Sequence, residues 1–280
     1  MTNPTAFSLT RQQKNFFDTF GYLVLPGLLK GSIDEISSAF EQLYAQDDQE
    51  IVDWRHEAHY MKSRKVLLQF IERRPELSAL LDHPVVDGIF SSLLGENYLY
   101  RASEGNIFTG DTYWHSDLYG AHFKYRHVKI LLYLEPLDEL SGAFRAIPGS
   151  HLFGDKFANL LERYVWKHEE NYGLDKDQVP SITVPTQPGD ALVFDYRLKH
   201  ATSHTRNNRR MFSICASQRF DDEDLPILAE LVNNFLPMTS GRVYHNDFLK
   251  NANETRLARI DQCLQAFNLI HDGKVGKPVA

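Results

Sequence analysis

The chain has 280 residues, 42% of them hydrophobic and 24% charged, with a formal net charge of -7. That balance excludes a disordered chain or a collagen-like fibre, and the lack of a basic stripe argues against nucleic acid as a partner. Two cysteines, Cys215 and Cys263, are too few for a disulfide framework and point to buried thiols in a reducing compartment. The start shows no basic and apolar leader, and no apolar run approaches the ~18 residues of a membrane span, so a soluble cytoplasmic protein without membrane contact is expected. Twelve histidines are the compositional oddity.

A hydroxyl ahead of apolar residues about a turn apart predicts a capped helix that begins near Ser8 and stops at Gly21. A short strand over 22–25 turns at Pro26 and Gly27, and Ile33, Ile36, Phe40 and Leu43 give residues 31–46 helical spacing. Residues 75–94 carry the same spacing, broken at His83-Pro84 and closed by Gly95, Glu96 and Asn97. From Tyr98 the texture changes to short β-branched and aromatic segments between turns. Strands are expected at 99–103, 105–108, 128–135, 142–146, 181–185, 190–194 and 209–218, with a helix carrying Phe157, Leu160, Leu161 and Val165 among them. Helices return at 225–235 and 248–269. Without βαβ alternation, these strands predict a mainly β protein with flanking helices, as an antiparallel sandwich or jelly roll. One domain is expected: a helical part over 1–97, a β core over 98–220 and C-terminal helices over 221–280.

Tyr113-Trp114-His115-Ser116-Asp117 sets a histidine and an aspartate two residues apart in a strand-like segment, so their side chains share a face. Iron(II) in oxygenases is held by two histidines and one carboxylate, so a second histidine is needed. Residues 187–200 supply it: a Pro-Gly-Asp turn leads into a hydrophobic strand with His200 at its far end, whereas the competing His204 falls in a polar hairpin. The next strand opens with Arg209 and Arg210, and a guanidinium there can grip the carboxylate of a dicarboxylate co-substrate.

In this order the motifs resemble the phytanoyl-CoA dioxygenase-like family of iron(II)- and 2-oxoglutarate-dependent oxygenases. Residues 13–29 are similar to the family's first helix and strand, Trp114-His115-Ser116-Asp117 to its first metal motif, 141–151 to the segment between the motifs, and 188–200 to the approach to the last ligand. The resemblance implies a double-stranded β-helix (jelly-roll, cupin-like) core with His115, Asp117 and His200 as iron ligands and no catalytic group beyond the metal centre. The family's 2-oxoglutarate arginine usually stands about eleven residues after the last histidine, where this chain has Met211. A loop shorter by two makes Arg209 the match, and Arg209, Met211, Ser213 and Cys215 form one face suited to a pocket. Arg210, with Phe212 and Ile214, faces the packed layer and stays as the alternative anchor. Thr202, Asn106 and Tyr133 resemble further co-substrate contacts, Tyr133 sharing a strand face with Lys129. Trp114, Leu118, Tyr119, His122 and Phe123 flank the metal motif and are expected to line the substrate pocket. His151 reads as a loop-fixing residue, and His127 as a surface or strand-edge residue that could alternatively touch substrate, and 54–60 is a stretch where this family often builds a lid.

The implied reaction uses iron(II), 2-oxoglutarate and dioxygen to hydroxylate an unactivated C–H bond of a small metabolite or natural-product intermediate, releasing succinate and CO2. Related halogenases carry a small residue in place of the carboxylate ligand, so Asp117 favours hydroxylation; desaturation or cyclisation are the alternatives within the family. No basic cluster singles out a coenzyme A thioester. Readings from other classes are a non-catalytic cupin-like binding domain, and a hydrolase or isomerase using another divalent metal. A small molecule is the expected partner, and the chain is expected to act as a monomer or homodimer.

Overall fold

A computed structural model describes residues 7–46, 50–55, 63–117, 124–152, 155–206 and 208–273. Helix α1, Arg11–Phe20, is capped by Thr10, whose side chain accepts from the Gln13 backbone while the Gln13 side chain accepts from the Thr10 backbone; it ends at Gly21 at φ 81°. Strand β1, Tyr22–Leu25, follows, and α2, Ile33–Gln46, buries Ile36, Ala39, Phe40 and Leu43. The break at Pro84 divides the next helical stretch into α3, Pro75–Ser78, a 3-10 turn and α4, Pro84–Leu94. Proline there lacks the N–H a continuing helix needs and is accepted only in a first turn.

The N-terminal part is less helical than its sequence predicts. Two strands, β2, Val52–Arg55, and β3, Ser63–Leu68, form an antiparallel pair there. Val66, Leu67 and Leu68 are all buried, so β3 lacks the alternation that identifies a strand. The expected lid stretch over 54–60 begins in β2, and its remainder lies outside the described residues.

The segments expected at 99–103 and 105–108 are one long strand, β4, Leu99–Thr109. Then come β5, Thr112–His115; β6, His127–Tyr133; β7, Phe144–Ala146; helices α5, Asp155–Trp166, and α6, His168–Tyr172; β8, Ile182–Val184; β9, Ala191–Asp195; β10, His200–Thr202; and β11, Arg209–Ser217. Helices α7, Leu225–Asn233, α8, Asn246–Lys250, and α9, Glu254–His271, close the described chain. Asn253, which falls in a glycosylation-like triplet, caps α9 by accepting from the Arg256 N–H.

The strands form a seven-stranded sheet, ordered β1-β9-β6-β11-β4-β3-β2, and a four-stranded sheet, β5-β10-β7-β8. Every pairing is antiparallel, and the two sheets make the jelly-roll core. Alternation along β11 gives the large sheet two different faces. Met211 joins Tyr133, Leu131, Phe108, Leu192 and Phe194 against Phe144 and Ala146 of the small sheet. Phe212 and Ile214 face the other way, into the layer of Phe40, Phe70, Phe90 and Ile260 supplied by the helices. Gly105 lies on this outer face where a Cβ would stand 2.3 Å from the Phe70 ring, so only glycine lets the helical layer approach so closely. Among the described residues no single helix is long and apolar enough to cross a membrane.

Candidate metal centre

The small sheet brings the two motif histidines together. In the β5–β10 pair, His200 stands directly opposite His115, and the ring centroids are 4.2 Å apart. His200 does not end the hydrophobic strand as expected: β9 stops at Asp195, and His200 opens β10 in the other sheet. The Asp195 carboxylate causes the switch by accepting from the Arg197 backbone N–H at 3.0 Å and from its guanidinium at 2.8 and 2.7 Å, which folds residues 195–198 into a turn. Asp117 likewise lies beyond the end of β5 and not in it. Its backbone N–H donates to Tyr196 carbonyl oxygen at 2.9 Å, and the bend aims the carboxylate at the imidazoles.

One ligand atom from each of His115, Asp117 and His200 lies within 4.8 Å of the other two. Asp117 Oδ1 is 3.7 Å from Nε2 of both histidines. Each ring is held through its other nitrogen, since Nδ1 of His115 is 2.7 Å from Tyr113 carbonyl oxygen and Nδ1 of His200 is 2.9 Å from that of Leu198. A carbonyl can only accept, so Nδ1 carries a proton in both rings and Nε2 is the atom each turns to the aspartate. Phe144 and Phe194, with ring centroids 5.0 Å from His200, fix its plane. Burial, and next the neighbouring His115, push the His200 pKa down to about 3, so its imidazole is neutral and free to donate a lone pair.

Lys129 holds the other side of the aspartate, with Nζ 2.6 Å from Oδ2. Burial raises the Asp117 pKa, but the Lys129 ammonium, His200 and His115 outweigh it and keep the carboxyl well below the usual carboxylate range. The pair leaves one carboxylate oxygen, Oδ1, facing the imidazoles. Two imidazole nitrogens and one ionised carboxylate oxygen are a donor set suited to a divalent transition metal with further positions open, and these residues fit iron(II).

Arg209 lies on the same inner face, buried at 3% exposure. Its guanidinium packs over the rings of Phe108 at 5.0 Å and Tyr133 at 5.6 Å. It donates through Nη1 to the Gly142 carbonyl oxygen, while Nε is buried without a partner. Gly142 makes the room: a Cβ there would come within 3.1 Å of Arg209 Nη1 and 2.8 Å of Thr205. Arg210 points outward to Glu135, 2.5 Å away, and to Glu41 on α2. Thr202 Oγ1 accepts from the Thr112 N–H at 3.0 Å and lies 3.3 Å from the Thr205 hydroxyl, which joins it to the surroundings of Arg209. Asn106 is buried in β4, but Arg64 Nε already donates to its side-chain oxygen at 2.6 Å.

Trp114 corrects an expectation. It alternates with His115 along β5 and packs with Val165, Val179 and Ala201, its indole donating to Lys176 carbonyl oxygen at 3.1 Å, so it lines the opposite side of the small sheet and not a pocket at the metal site. Leu118, Tyr119, His122 and Phe123 lie outside the described residues. His204 is exposed, with Nδ1 3.1 Å from Glu139 carbonyl oxygen. His151 does fix a loop, with Nε2 3.2 Å from Asp18 carbonyl oxygen. His127 is not at the surface; it is 4% exposed on the inner face of β6. Two-residue steps back from Tyr133 reach Leu131, Lys129 and His127, so the alternation that puts Lys129 on the face of Tyr133 puts His127 there too.

A family model, phytanoyl-CoA dioxygenase (PhyH), matches residues 17–212, a span that holds the two histidines, the aspartate and both arginines. No curated protein matches the sequence. Solved structures share the fold at low identity. The carbocyclase SnoK from nogalamycin biosynthesis is 19% identical over 78% of this chain and 87% of its own, with a TM-score of 0.59. HygX from Streptomyces hygroscopicus, solved with nickel and 2-oxoglutarate, is 20% identical over 76% of this chain and 88% of its own, with a TM-score of 0.58. The epimerase SnoN, solved with Fe3+, alpha-ketoglutarate and nogalamycin RO, is 17% identical over 74% of this chain and 82% of its own, with a TM-score of 0.58. With the family model spanning most of the chain from α1 into β11, the protein belongs to the phytanoyl-CoA dioxygenase family.

Proposed function

We propose that this chain is an iron(II)- and 2-oxoglutarate-dependent oxygenase that hydroxylates an unactivated C–H bond of a small molecule, with dioxygen consumed and succinate and CO2 released. The observation that carries the reading is the convergence of His115 Nε2, His200 Nε2 and Asp117 Oδ1 on the same inner face as a buried arginine whose Nε has no partner. The metal and 2-oxoglutarate seen in HygX and SnoN support it. A domain that only binds would not need two tautomer-fixed imidazoles and a paired carboxylate around one point.

In this reading His115 and His200 hold iron through Nε2 and Asp117 through Oδ1, with Lys129 fixing the carboxylate. Arg209 takes the distal carboxylate of 2-oxoglutarate, the partner its Nε lacks, and Thr202 and Tyr133 stand beside it. Phe108, Phe144, Phe194 and Met211 keep water from the space between the two ends. Bound there, iron(II) and 2-oxoglutarate supply the activation of dioxygen for attack on a C–H bond. Asp117 fills the position that a halide-binding relative leaves open, which favours hydroxylation; the carbocyclase SnoK makes ring closure the outcome for product analysis to distinguish. Both cysteines are buried and unpaired, in keeping with a reducing, cytoplasmic setting.

The test is anaerobic loading with iron(II) and 2-oxoglutarate, followed by exposure to air. A visible 2-oxoglutarate-dependent band, succinate release and a product one oxygen atom heavier are expected. His115→Ala and His200→Ala should each abolish the band, and His204→Ala should keep it. Loss in His204→Ala with retention in His200→Ala would overturn the ligand assignment.

A further inference from the structure

Beside Asp117 the inner face opens into a cavity of about 320 Å³, within the range of small-molecule sites. One wall is apolar and comes from α7 and the 3-10 turn Leu236–Thr239, with Leu231, Phe235, Leu236 and Met238 facing the space. The opposite wall, on β4 and β6, carries Arg101 and His127.

Arg101 is there because β4 bulges. Cys215 pairs with Ala102 and the next residue, Ala216, pairs with Tyr100, so Arg101 has no opposite number on β11. In uninterrupted alternation Arg101 would share the outer face of Ser103 and Gly105. The extra residue puts it on the cavity side instead, which is the use bulges have beside active sites. Its guanidinium lies 5.8 Å from the Phe220 ring. Nε and Nη1 are buried without a hydrogen-bond partner, as is Nε2 of His127.

The cavity's own acids do not answer this charge. Asp117 is held by Lys129, and Glu104 by Arg64 at 2.6 Å. Glu72 accepts from the Tyr100 hydroxyl at 2.8 Å and the His245 N–H at 2.7 Å. The other lining cation, Arg242, has Glu50 at 3.1 Å. Among the described residues Arg101 is thus the lining cation left without an anion, and its two buried, unpartnered nitrogens are kept at a cost unless something pairs with them.

We infer that Arg101 is the residue that receives the substrate's anionic group, so that the substrate class is a small molecule with an apolar body and a single carboxylate. The body lies along Leu231, Leu236 and Met238, and the metal centre at Asp117 sets which carbon is oxidised. One unpaired guanidinium matches one negative charge; a phosphate monoester or a coenzyme A ester brings more charge than the cavity answers. This substrate class rests on the oxygenase reading, whereas the anion site does not.

The two are separated by measuring binding without metal. Calorimetry at neutral pH on the full chain compares 4-phenylbutyrate, its primary amide and 3-phenylpropyl phosphate. The carboxylate should bind about ten- to hundredfold more tightly than the amide. Arg101→Gln should erase that difference and Arg101→Lys should keep part of it. Arg209→Gln should leave it intact while weakening 2-oxoglutarate, and Arg101→Gln should leave 2-oxoglutarate binding unchanged. Arg101→Gln should also unfold close to the parent's temperature, because no ion pair is lost and only the contact with the Phe220 ring is given up. Equal binding of amide and carboxylate, no carboxylate binding, or undiminished binding in Arg101→Gln would overturn the inference. Tighter binding of the phosphate would overturn the carboxylate. Failure of the oxygenase reading shows separately, as a missing visible band with iron(II) and 2-oxoglutarate in a protein that still binds the carboxylate.

Discussion

Arg209 and Arg210 are consecutive residues of β11, yet the two faces of the large sheet treat them in opposite ways. On the outer face Arg210 is half-buried and ends between two carboxylates, Glu135 and Glu41. On the inner face Arg209 is buried over two aromatic rings with one carbonyl as partner and Nε unpaired. Glu72, on the helical side, is as buried as Arg209, but both its oxygens are taken. Arg210 and Glu72 are thus answered by the fold itself, while Arg209, Arg101 and His127 keep polar atoms that the fold does not satisfy. Unsatisfied buried groups are rare in native proteins, and a guanidinium nitrogen left so beside a cavity or a metal site marks room kept for something the chain does not contain.

The comparison breaks most visibly if the outer face is not the structural one. Phe212 is fully buried there, with its ring centroid 5.5 Å from that of Phe70. Phe212→Ala should cost about 3–5 kcal/mol by urea unfolding, through lost burial and the cavity left behind. The fraction still folded should bind 2-oxoglutarate as the parent does, because the ring faces away from Arg209. Unchanged stability, or a selective loss of 2-oxoglutarate binding, would show that the faces are reversed.

The next effect comes from Glu72. Burial pushes its pKa from 4.5 up to about 7, against the His245 N–H, the Tyr100 hydroxyl and Arg73. A carboxyl whose folded pKa is raised binds a proton more tightly folded than unfolded. Its contribution to stability is therefore complete below the unfolded value and is lost as pH rises through the folded one. Over that window the loss amounts to about 3 kcal/mol. Glu72→Gln should flatten this part of the pH profile, measured as unfolding midpoints between pH 4.5 and 7. An unaltered slope would mean that the carboxyl is solvated through the cavity it lines.

Both faces of β11 were legible in the sequence, because nine residues of strand are long enough for alternation to speak. The shorter strands were not. β5 has four residues and β10 three, too few for any period, so the sequence alone puts Asp117 in a strand it follows and His200 at the end of a strand that stops before it. The triad was still found, since residue type, order and family resemblance did not depend on those elements. What brings the histidines together, the His115–His200 register, is a tertiary fact. Arg101 was invisible for a related reason: a bulge exists only as a mismatch between two strands, here β4 and β11, and neither strand alone records it. Lys129 is on the face of Tyr133 already in the sequence, and counting back one further step reaches His127, but a histidine that opens a strand reads as an edge residue until the cavity is seen.

The finest division between the faces is the one between the two arginines. Arg209→Ala should raise the 2-oxoglutarate concentration needed for half-maximal succinate formation by about ten- to hundredfold, as expected for losing charge-assisted hydrogen bonds to a carboxylate. Its thermal midpoint should fall as well, because the buried side chain gives up its packing over Phe108 and Tyr133 and one carbonyl contact, so the 2-oxoglutarate requirement is the readout that separates the two arginines. Arg210→Ala removes two ion pairs whose members are all about a third or more exposed, which are worth about 1 kcal/mol or less, and it leaves the 2-oxoglutarate requirement as it was. Restoring charge with Arg209→Lys should recover only part of the affinity, since a point charge cannot reproduce the guanidinium fork. An equal or larger 2-oxoglutarate defect in Arg210→Ala would place the co-substrate on the outer face. The unpaired atoms within the jelly roll would then need another explanation than a ligand.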